Sequence, residues 1–335
     1  MSHVLVLGGT SWLGGAVASD ALARGHDVTC LARGASGEVP RGAHLVRADR
    51  DDPGAYAALP PSTSYDLVVD VARQPGQVRG ALEALADRVG HWAFVSSCSV
   101  YARHDEPGAD ESAELLPPAT DDTVTPEQYG EGKVACEHAV RDRLGPRALV
   151  VRAGLIVGRG DPSERLGYWP GRFALAARDG GPVLVPGTVG RRVQWIDVLD
   201  LAGWIVSAGL AGTSGALNAM GRSEPLADLL DAAAAAAGFE GRRVLVPDEA
   251  LLAAGVEEFM GPRSLPLWLA DPSWRAFLDR SAAAAHARGL ATRPLEDTLA
   301  DALEWETSLG LDRTRSRAGL DRAAELAVLT GLGSR

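Results

Sequence analysis

Short apolar runs alternate with helical patterns along the first half of the chain. The runs are rich in Val, Leu and Ile without alternation, which is typical of strands buried on both faces of a parallel sheet. Repeated strand–helix–strand units indicate an α/β fold with a doubly wound parallel sheet. The predicted strands are His3–Leu7, Asp27–Leu31, His44–Val46, Leu67–Val71, Trp92–Ser96 and Ala148–Arg152. The predicted helices between them are Trp12–Ala23, Gln77–Arg88 and Glu127–Arg143.

The second half of the chain has a different pattern. Prolines and glycines punctuate residues 158–190, and one strand-then-helix unit follows at Val193–Ile205. We predict a first domain over residues 1–157, with residues 192–220 returning to it, and a smaller, mostly helical domain over residues 158–335. The irregular segment Gly261–Trp268 is a candidate lid. The predicted helices of this half are Leu226–Ala237, Pro294–Ser308 and Arg317–Thr330.

Composition narrows the classes of partner. The 335 residues carry a net charge of −11, which disfavours binding to nucleic-acid phosphates or anionic membranes. No apolar run approaches the length of a membrane span. We therefore expect a small-molecule ligand, with no nucleic acid and no membrane as partner.

Cysteine and histidine usage bears on metals and on location. Cys30, Cys98 and Cys136 are far apart and show no metal-ligand spacing, so we expect free thiols in a reducing cytoplasm. The seven histidines are also scattered, which argues against a dedicated metal site. A strand begins almost at Met1 with no basic leader before it, so no signal peptide is expected.

A glycine-rich turn follows the first predicted strand and begins a helix. Gly8 permits a sharp turn out of the strand, and Gly14 permits close packing of helix against sheet. The helix N-terminus presents free N–H groups and a positive dipole end to a pyrophosphate, as in a Rossmann dinucleotide site. A tight turn alone would explain the glycines, but the strand–turn–helix context favours binding, even with Ser11 in place of the usual middle glycine. The candidate contacts are Gly8, Thr10, Ser11, Trp12, Leu13 and Gly14.

The end of the second predicted strand indicates which dinucleotide is bound. NAD sites usually carry an acidic residue about 20 residues beyond the turn, on the ribose 2′-hydroxyl. Ala32 occupies that place here, and Arg33 follows it. Arginine suits a 2′-phosphate, so we predict NADP(H), with NAD(H) as the alternative. A solvated loop cation is the competing interpretation of Arg33.

Three residues have the pattern of a hydride-transfer site. Tyr129 and Lys133, four positions apart, share one face of a predicted helix. A nearby ammonium favours the phenolate and so makes tyrosine a usable acid/base at neutral pH. Ser97 leaves the end of a predicted sheet strand, where a hydroxyl can hydrogen-bond a substrate oxygen. Each feature alone occurs by chance, but the three in this order with the glycine-rich turn indicate catalysis.

With these motifs, the sequence resembles the extended short-chain dehydrogenase/reductases, the NAD-dependent epimerase/dehydratase family, from Val4 to about Leu201. The resemblance implies that Ser97 polarises the substrate oxygen, that Tyr129 is the acid/base, and that Lys133 supports Tyr129 and the nicotinamide ribose. It also implies a possible homodimer through the helices at Gln77–Arg88 and Glu127–Arg143. The further cofactor contacts that it implies are Asp49, Arg50, Val71, Ala72, Arg73, Ser96, Tyr129, Lys133, Ala153, Leu155 and Ile156.

Several positions depart from the members that act on nucleotide sugars. Leu155 stands where those enzymes usually carry an asparagine, and Val193-Gln194 replaces an Arg-Asp pair, with Arg191 and Arg192 just upstream as possible substitutes. Cys98 and Ser99 replace the Asp-Glu pair of the sugar dehydratases. These departures disfavour a nucleotide-sugar substrate.

Three functions follow from these residues. The leading hypothesis is an NADP(H)-dependent oxidoreductase that transfers hydride to or from a secondary alcohol or ketone of a small molecule. The second is a redox-neutral, NAD(P)-dependent epimerase of a sugar-like substrate. The third, from another class, is a sensor or scaffold that binds the dinucleotide without turnover; the intact Ser97, Tyr129 and Lys133 argue against it.

Overall fold

The computed structural model describes residues 1–333. Residues 334 and 335, which the predicted second domain includes, lie outside the described residues. The strands are β1 (His3–Leu7), β2 (Asp27–Ala32), β3 (His44–Arg47), β4 (Tyr65–Asp70), β5 (Val89–Ser97), β6 (Ala148–Ala153), β7 (Leu155–Val157), β8 (Val183–Pro186), β9 (Arg192–Val193), β10 (Trp195–Asp197), β11 (Gly215–Ala219), β12 (Glu224–Pro225), β13 (Arg243–Val246), β14 (Glu257–Glu258) and β15 (Ser264–Leu265). The α-helices are α1 (Trp12–Ala23), α2 (Pro75–Leu85), α3 (Tyr129–Leu144), α4 (Arg165–Asp179), α5 (Val198–Leu210), α6 (Leu226–Ala236), α7 (Asp248–Ala253), α8 (Ala283–His286), α9 (Leu295–Leu309) and α10 (Arg322–Gly333).

Seven strands form one parallel sheet in the order β11-β6-β5-β4-β1-β2-β3. The chain begins at the centre, runs outward through β2 and β3, and returns past β1 to β4, β5 and β6. This order confirms the doubly wound Rossmann-type fold. All the strands end at one edge because they are parallel, so the loops after β1, β4 and β5 lie side by side there.

Helices cover both faces of the sheet. On one face α1 packs against α5, and the residues between them and the strands include Val4, Val17 and Ile205, all without exposed surface. On the other face α2 packs against α3 over Leu5, Val68 and other buried side chains. The strands are buried on both sides, as their apolar composition predicts.

Outside the sheet, the second half of the chain forms its own core. Helices α4, α6 and α9 pack together, and β8 pairs with β13 beside them. Trp169 and Trp268 are fully buried there, and the indole N–H of Trp169 donates to the carbonyl of Pro266. The prediction of a lid at Gly261–Trp268 is therefore wrong, because the apolar side chains of this segment belong to the core.

Helix α4 was not predicted, since Gly167, Pro170 and Gly171 are poor helix formers within it. The two glycines have a packing role. A Cβ atom at Gly167 would collide with the side chain of Glu306 on α9, and one at Gly171 would lie 3.2 Å from the guanidinium of Arg315. Close packing of α4 on α9 thus outweighs the low local propensity.

The composition predicts free cysteines, no dedicated metal site and no membrane span. The three cysteines are buried and unpaired, and burial raises the pKa of each thiol to about 12. No three His, Cys, Asp or Glu side chains within residues 1–333 are grouped as metal ligands would be. In the same residues, no helix combines the length and the apolar character needed to cross a bilayer.

A buried ion pair joins α3 to the sheet. Arg152, at the end of β6, places its Nη2 atom 2.8 Å from the Oε2 atom of Glu137 on α3, and both side chains are almost fully buried. The Glu137 carboxylate also accepts a hydrogen bond from the hydroxyl of Ser96 at 2.6 Å. Arg152 donates in turn to the phenol of Tyr101. This network fixes α3 against the ends of β5 and β6.

Loss of the Glu137 charge should destabilise the fold. Glu137→Gln would leave the Arg152 guanidinium buried without a counter-ion, at a cost of about 3–5 kcal/mol in the free energy of unfolding. Arg143→Gln on the same helix is the control, because it removes a solvent-exposed pair with Asp87 that should contribute about 1 kcal/mol or less. Urea unfolding measures both. Equal stability of the two variants would contradict the importance of the buried pair.

Candidate active site

The glycine-rich turn lies between β1 and α1, as predicted. Gly8 has a φ of 98°, which favours glycine, and a Cβ atom there would lie 2.6 Å from Val71. A Cβ atom at Gly14 would collide with the carbonyl oxygen of Gly8. Both glycines are therefore required by the close approach of the turn to its surroundings.

Ser11 explains the departure from the usual middle glycine. Its φ of −74° needs no glycine, and its side chain caps α1. The hydroxyl donates to the carbonyl of Gly8 at 2.8 Å and accepts from the N–H of Gly14 at 3.2 Å. The N–H groups of Trp12 and Leu13 belong to the first turn of α1, where no intrahelical acceptor exists. Those groups face the position that a pyrophosphate would take.

Charged side chains surround the ends of β2 and β3. Arg33 is exposed, and its Nη1 atom lies 3.6 Å from the Oδ2 atom of Asp49. Arg47 lies beside them, since a Cβ atom at Gly34 would meet its guanidinium. The structure thus brings Arg33 and Asp49 together and adds Arg47, which the sequence did not single out.

Arg50 is held differently from the other predicted adenine contacts. Its guanidinium forms two hydrogen bonds to the carboxylate of Asp70, at 2.6 and 2.9 Å, and a third to the phenol of Tyr56. The Asp70 carboxylate also accepts the N–H of Ala72. Arg50 therefore fastens the loops after β3 and β4 to each other, and only its backbone and stem remain free for a cofactor.

Lys133 extends from α3 to the strand ends. Its ammonium donates to the carbonyls of Ala72 and Val95, each at 2.6 Å, and lies 4.8 Å from the ring centroid of Phe94. The side chain is almost fully buried. An ammonium has three N–H groups, so one remains for a further acceptor.

The serines after β5 have separate roles. Ser96 is buried and donates to Glu137, so its side chain belongs to the network behind the sheet. Ser97 is half-buried, and its oxygen accepts the N–H of Ser99 at 3.1 Å in a tight turn. The Ser97 hydroxyl is the one at the strand edge.

Tyr129 is the first residue of α3 and is half-buried. The ring centroid lies 5.8 Å from the Nζ atom of Lys133. Gly130 lets the helix approach the turn after β5, because a Cβ atom there would collide with the carbonyl of Ser99. Ser97 and Lys133 are 36 residues apart in the chain. The fold brings them together with Tyr129 at one edge of the sheet.

The remaining predicted cofactor contacts also lie along this edge. Val71 and Arg73 flank Ala72 in the loop after β4; Val71 touches the turn, and Arg73 is exposed. Ala153 ends β6, and Leu155 and Ile156 belong to β7, which pairs with β10. The indole N–H of Trp12 donates to the carbonyl of Arg159 at 2.9 Å and so joins α1 to the segment after β7.

The residues present fit a nicotinamide dinucleotide. The turn leaves no room for a Cβ atom at Gly14, and the first N–H groups of α1 are free for a pyrophosphate. The third N–H group of Lys133 is available for a ribose hydroxyl. The contacts of individual residues with the dinucleotide, which were named from the sequence, stay predictions.

Arg165 was missed by sequence reasoning. It begins α4, and its guanidinium carbon lies 4.8 Å from the ring centroid of Phe259. Burial lowers the pKa of Arg165 to about 10, against the opposing effects of Asp161 and Tyr129. The only signal for Arg165 in the sequence is the turn Asp161-Pro162-Ser163 just before the helix. That turn lies in a segment whose glycines and prolines predict irregular structure.

Three residues at the predicted nucleotide-sugar positions are occupied by other contacts. The buried Gln194 side chain binds the backbone of Gly221 and Arg280. Arg191 pairs with Asp248, and Arg192 lies 3.5 Å from the carboxylate of Asp279. Neither arginine is free to replace the missing one.

One family model matches the chain. A model of the NAD dependent epimerase/dehydratase family matches residues 4–87 and 81–218. These ranges span the sheet, the glycine-rich turn and the Ser97, Tyr129 and Lys133 constellation. No curated protein matches the chain.

Solved structures share the fold over almost the whole chain. The UDP-Glc/GlcNAc 4-epimerase of Campylobacter jejuni is 17% identical with a TM-score of 0.67, covering 92% of this chain and 100% of that one. The UDP-N-acetylglucosamine 4-epimerase of Bacillus cereus is 15% identical, with a TM-score of 0.63 and coverage of 91% and 99%. The UDP-glucose 4-epimerase of Thermus thermophilus, in complex with NAD, is 19% identical, with a TM-score of 0.58 and coverage of 90% and 98%.

A methyl group added at the turn should weaken cofactor binding. Gly14→Ala would force its Cβ atom against the Gly8 carbonyl and open the turn, so the Kd for NADPH should rise about tenfold or more. Gly15→Ala is the matched control, since its Cβ atom would lie 3.7 Å from the Gly9 oxygen, an ordinary contact. Fluorescence titration with NADPH measures both. The same Kd for the two variants would show that the turn does not hold the cofactor.

Proposed function

Because this chain belongs to the NAD dependent epimerase/dehydratase family and is an NAD(P)-dependent enzyme, we propose that it is an NADP(H)-dependent oxidoreductase. Its substrate class is a small molecule with a secondary alcohol or ketone. The carrying observation is the convergence of Ser97, Tyr129 and Lys133 at the carboxyl edge of the sheet, beside the turn at Gly8.

The three side chains divide the chemistry at the substrate oxygen. The bound nicotinamide supplies or accepts the hydride. The phenol of Tyr129 gives a proton to the oxygen during reduction and takes it back during oxidation. The Ser97 hydroxyl hydrogen-bonds the same oxygen as negative charge develops on it. The Nζ atom of Lys133 lies 5.8 Å from the centroid of the Tyr129 ring, so a positive charge stands near the reacting phenol.

The geometry of Lys133 supports this division. Two of its N–H groups are engaged by Ala72 and Val95, which prevents the flexible side chain from leaving the site. Its charge is therefore preorganised near Tyr129 and costs no reorganisation during the reaction.

The preference for NADP(H) rests on the end of β2. Arg33 is exposed there, no acidic residue precedes it at Ala32, and Arg47 adds a second cation nearby. Asp49 lies beside Arg33 and would have to share it with a 2′-phosphate. NAD remains the alternative cofactor, and the Thermus thermophilus relative in complex with NAD supports that alternative.

A redox-neutral epimerase is the second candidate, because the relatives of similar fold include 4-epimerases of UDP-sugars. Against a nucleotide sugar stand Leu155 and the internal contacts of Gln194, Arg191 and Arg192. The two candidates differ in whether they release the dinucleotide. Mass analysis of the denatured, freshly purified protein distinguishes them. Near-stoichiometric dinucleotide would favour the epimerase, and an empty protein would favour the oxidoreductase.

The non-catalytic sensor is disfavoured on the same geometry. A sensor needs the turn at Gly8 but not a tyrosine aligned with a buried lysine. We also propose that residues 1–157 with 192–220 hold the cofactor, that residues 158–333 otherwise hold the substrate, and that the enzyme works in the cytoplasm. A homodimer through α2 and α3 would need polar contacts, since none of the exposed large hydrophobic side chains among the described residues lies on either helix.

A substitution of Tyr129 tests catalysis separately from cofactor binding. Tyr129→Phe should lower kcat for reduction of a ketone by NADPH by about a hundredfold or more, because it removes the acid/base group. The Kd for NADPH should stay within about twofold, since the phenol contributes little to the dinucleotide site. Turnover is followed by NADPH absorbance and binding by fluorescence. Weakened binding with turnover per bound cofactor preserved would overturn these roles.

The arginine after β2 tests the dinucleotide preference. Arg33→Gln should weaken NADP⁺ binding by about tenfold, because a charge-assisted contact to the 2′-phosphate is lost, and leave NAD⁺ binding unchanged. Arg41→Gln, another exposed arginine of the loop between β2 and β3, is the control. Calorimetric titration with both dinucleotides gives the ratio. An unchanged ratio in Arg33→Gln would mean that Arg33 is only a solvated cation.

A further inference from the structure

A guanidinium with free donors lies at the start of α4. The Nε atom of Arg165 donates to the Ser163 hydroxyl at 3.0 Å, and its guanidinium carbon lies 4.8 Å from the ring centroid of Phe259. No carboxylate of residues 1–333 pairs with it, and its two terminal nitrogens have no hydrogen-bond partner there. Arg165 is half-buried, so these nitrogens are within reach of a bound molecule.

Two sets of contacts place Arg165 at the cleft. The Phe259 ring beside it packs on Phe277, and Phe277 packs on His104 in the loop after β5. The segment just before Arg165 contacts the phosphate-binding turn, because the indole of Trp12 donates to the Arg159 carbonyl. The start of α4 is therefore linked by contacts to the phosphate-binding turn and to the loop after β5.

The surrounding structure holds Arg165 in this position. Glu164, the residue before it, has a φ of 58°, a conformation that non-glycine residues rarely adopt and that costs energy. Its carboxylate accepts the guanidinium of Arg313 at 2.8 Å and the N–H groups of Ser316 and Arg317. Arg313 is also paired with Glu306 at 2.7 Å. Three contacts from the C-terminal segment thus hold the strained Glu164, which directly precedes the free Arg165.

We propose that Arg165 binds a carboxylate of the substrate, close to the carbon that exchanges hydride; this inference rests on the function proposed above. The two terminal nitrogens of a guanidinium match the two oxygens of a carboxylate. The Phe259 ring, whose centroid lies 4.8 Å from the guanidinium carbon, attracts the cation and so restrains its position.

The local charge favours a monoanion. Asp161 accepts the hydroxyl of Ser163 at 2.8 Å, and that hydroxyl accepts the Nε–H group of Arg165. The Asp161 carboxylate is thus linked to the guanidinium through the Ser163 hydroxyl and offsets part of its charge. A phosphate dianion would meet that second negative group with a single cation facing it. A carboxylate matches the one positive charge.

The experiment uses three α-keto acids, phenylglyoxylate, pyruvate and α-ketobutyrate, each beside its primary amide. Calorimetry measures their binding to the full chain saturated with NADP⁺, where no hydride is available and binding is separated from turnover. We expect at least one acid to bind about tenfold or more tightly than its amide. Arg165→Gln should remove that difference, and Arg165→Lys, which keeps the charge but not the paired donors, should keep part of it.

The control is Arg178→Gln, at the exposed far end of α4, which should leave the acid-to-amide ratio unchanged. Equal binding of all three acids and their amides to the unaltered enzyme would overturn the proposal. A preference for acids that persists in Arg165→Gln would also overturn it. Weakened NADP⁺ binding by Arg165→Gln would assign the residue to the cofactor instead.

Failure of the proposed function gives a different result. An acid that binds through Arg165 but exchanges no hydride, as ketone with NADPH or as the matching alcohol with NADP⁺, would retain the carboxylate site and reject the oxidoreductase.

Discussion

The buried ammonium of Lys133 joins α3 to two neighbouring strands of the sheet, through the carbonyls of Ala72 and Val95. An unpaired charge in that position would be costly, so the two strand ends and the helix must keep their relative placement. Tyr129 lies one turn earlier on the same helix, and its position follows from that of the lysine. The proposed acid/base is therefore placed by the packing of the sheet edge.

Buried ion pairs hold the rest of that edge. Arg50 and Asp70 tie the loop after β3 to the end of β4, and Arg152 and Glu137 tie β6 to α3. Ion pairs buried in this way contribute little net stability, but removal of one partner strongly destabilises the fold. Their effect here is geometric, because they hold the loops on either side of the cofactor cleft at fixed positions. The turn at Gly8 and the cap at Ser11 complete the cleft.

The polar side chains of the second half of the chain are divided between internal contacts and one free arginine. Gln194, Arg191 and Arg192 are consumed by contacts within the chain, where a nucleotide sugar would need free polar groups. Arg165 supplies a free cation at a different place, the start of α4. The substrate carboxylate proposed above would account for this free cation.

The sequence by itself determined the sheet, the glycine-rich turn and the Tyr129–Lys133 spacing, because each depends on residues close together in the chain. Apolar runs show buried strands, and a four-residue spacing defines one helix face. Only the tertiary structure decided that α4 is a helix, because its glycines are compensated by packing on Glu306 of α9. It likewise decided that Arg50 is buried against Asp70 while Arg165 is free. The partner of a charged side chain is set by residues distant in sequence, and no local pattern records which arginine is left without one.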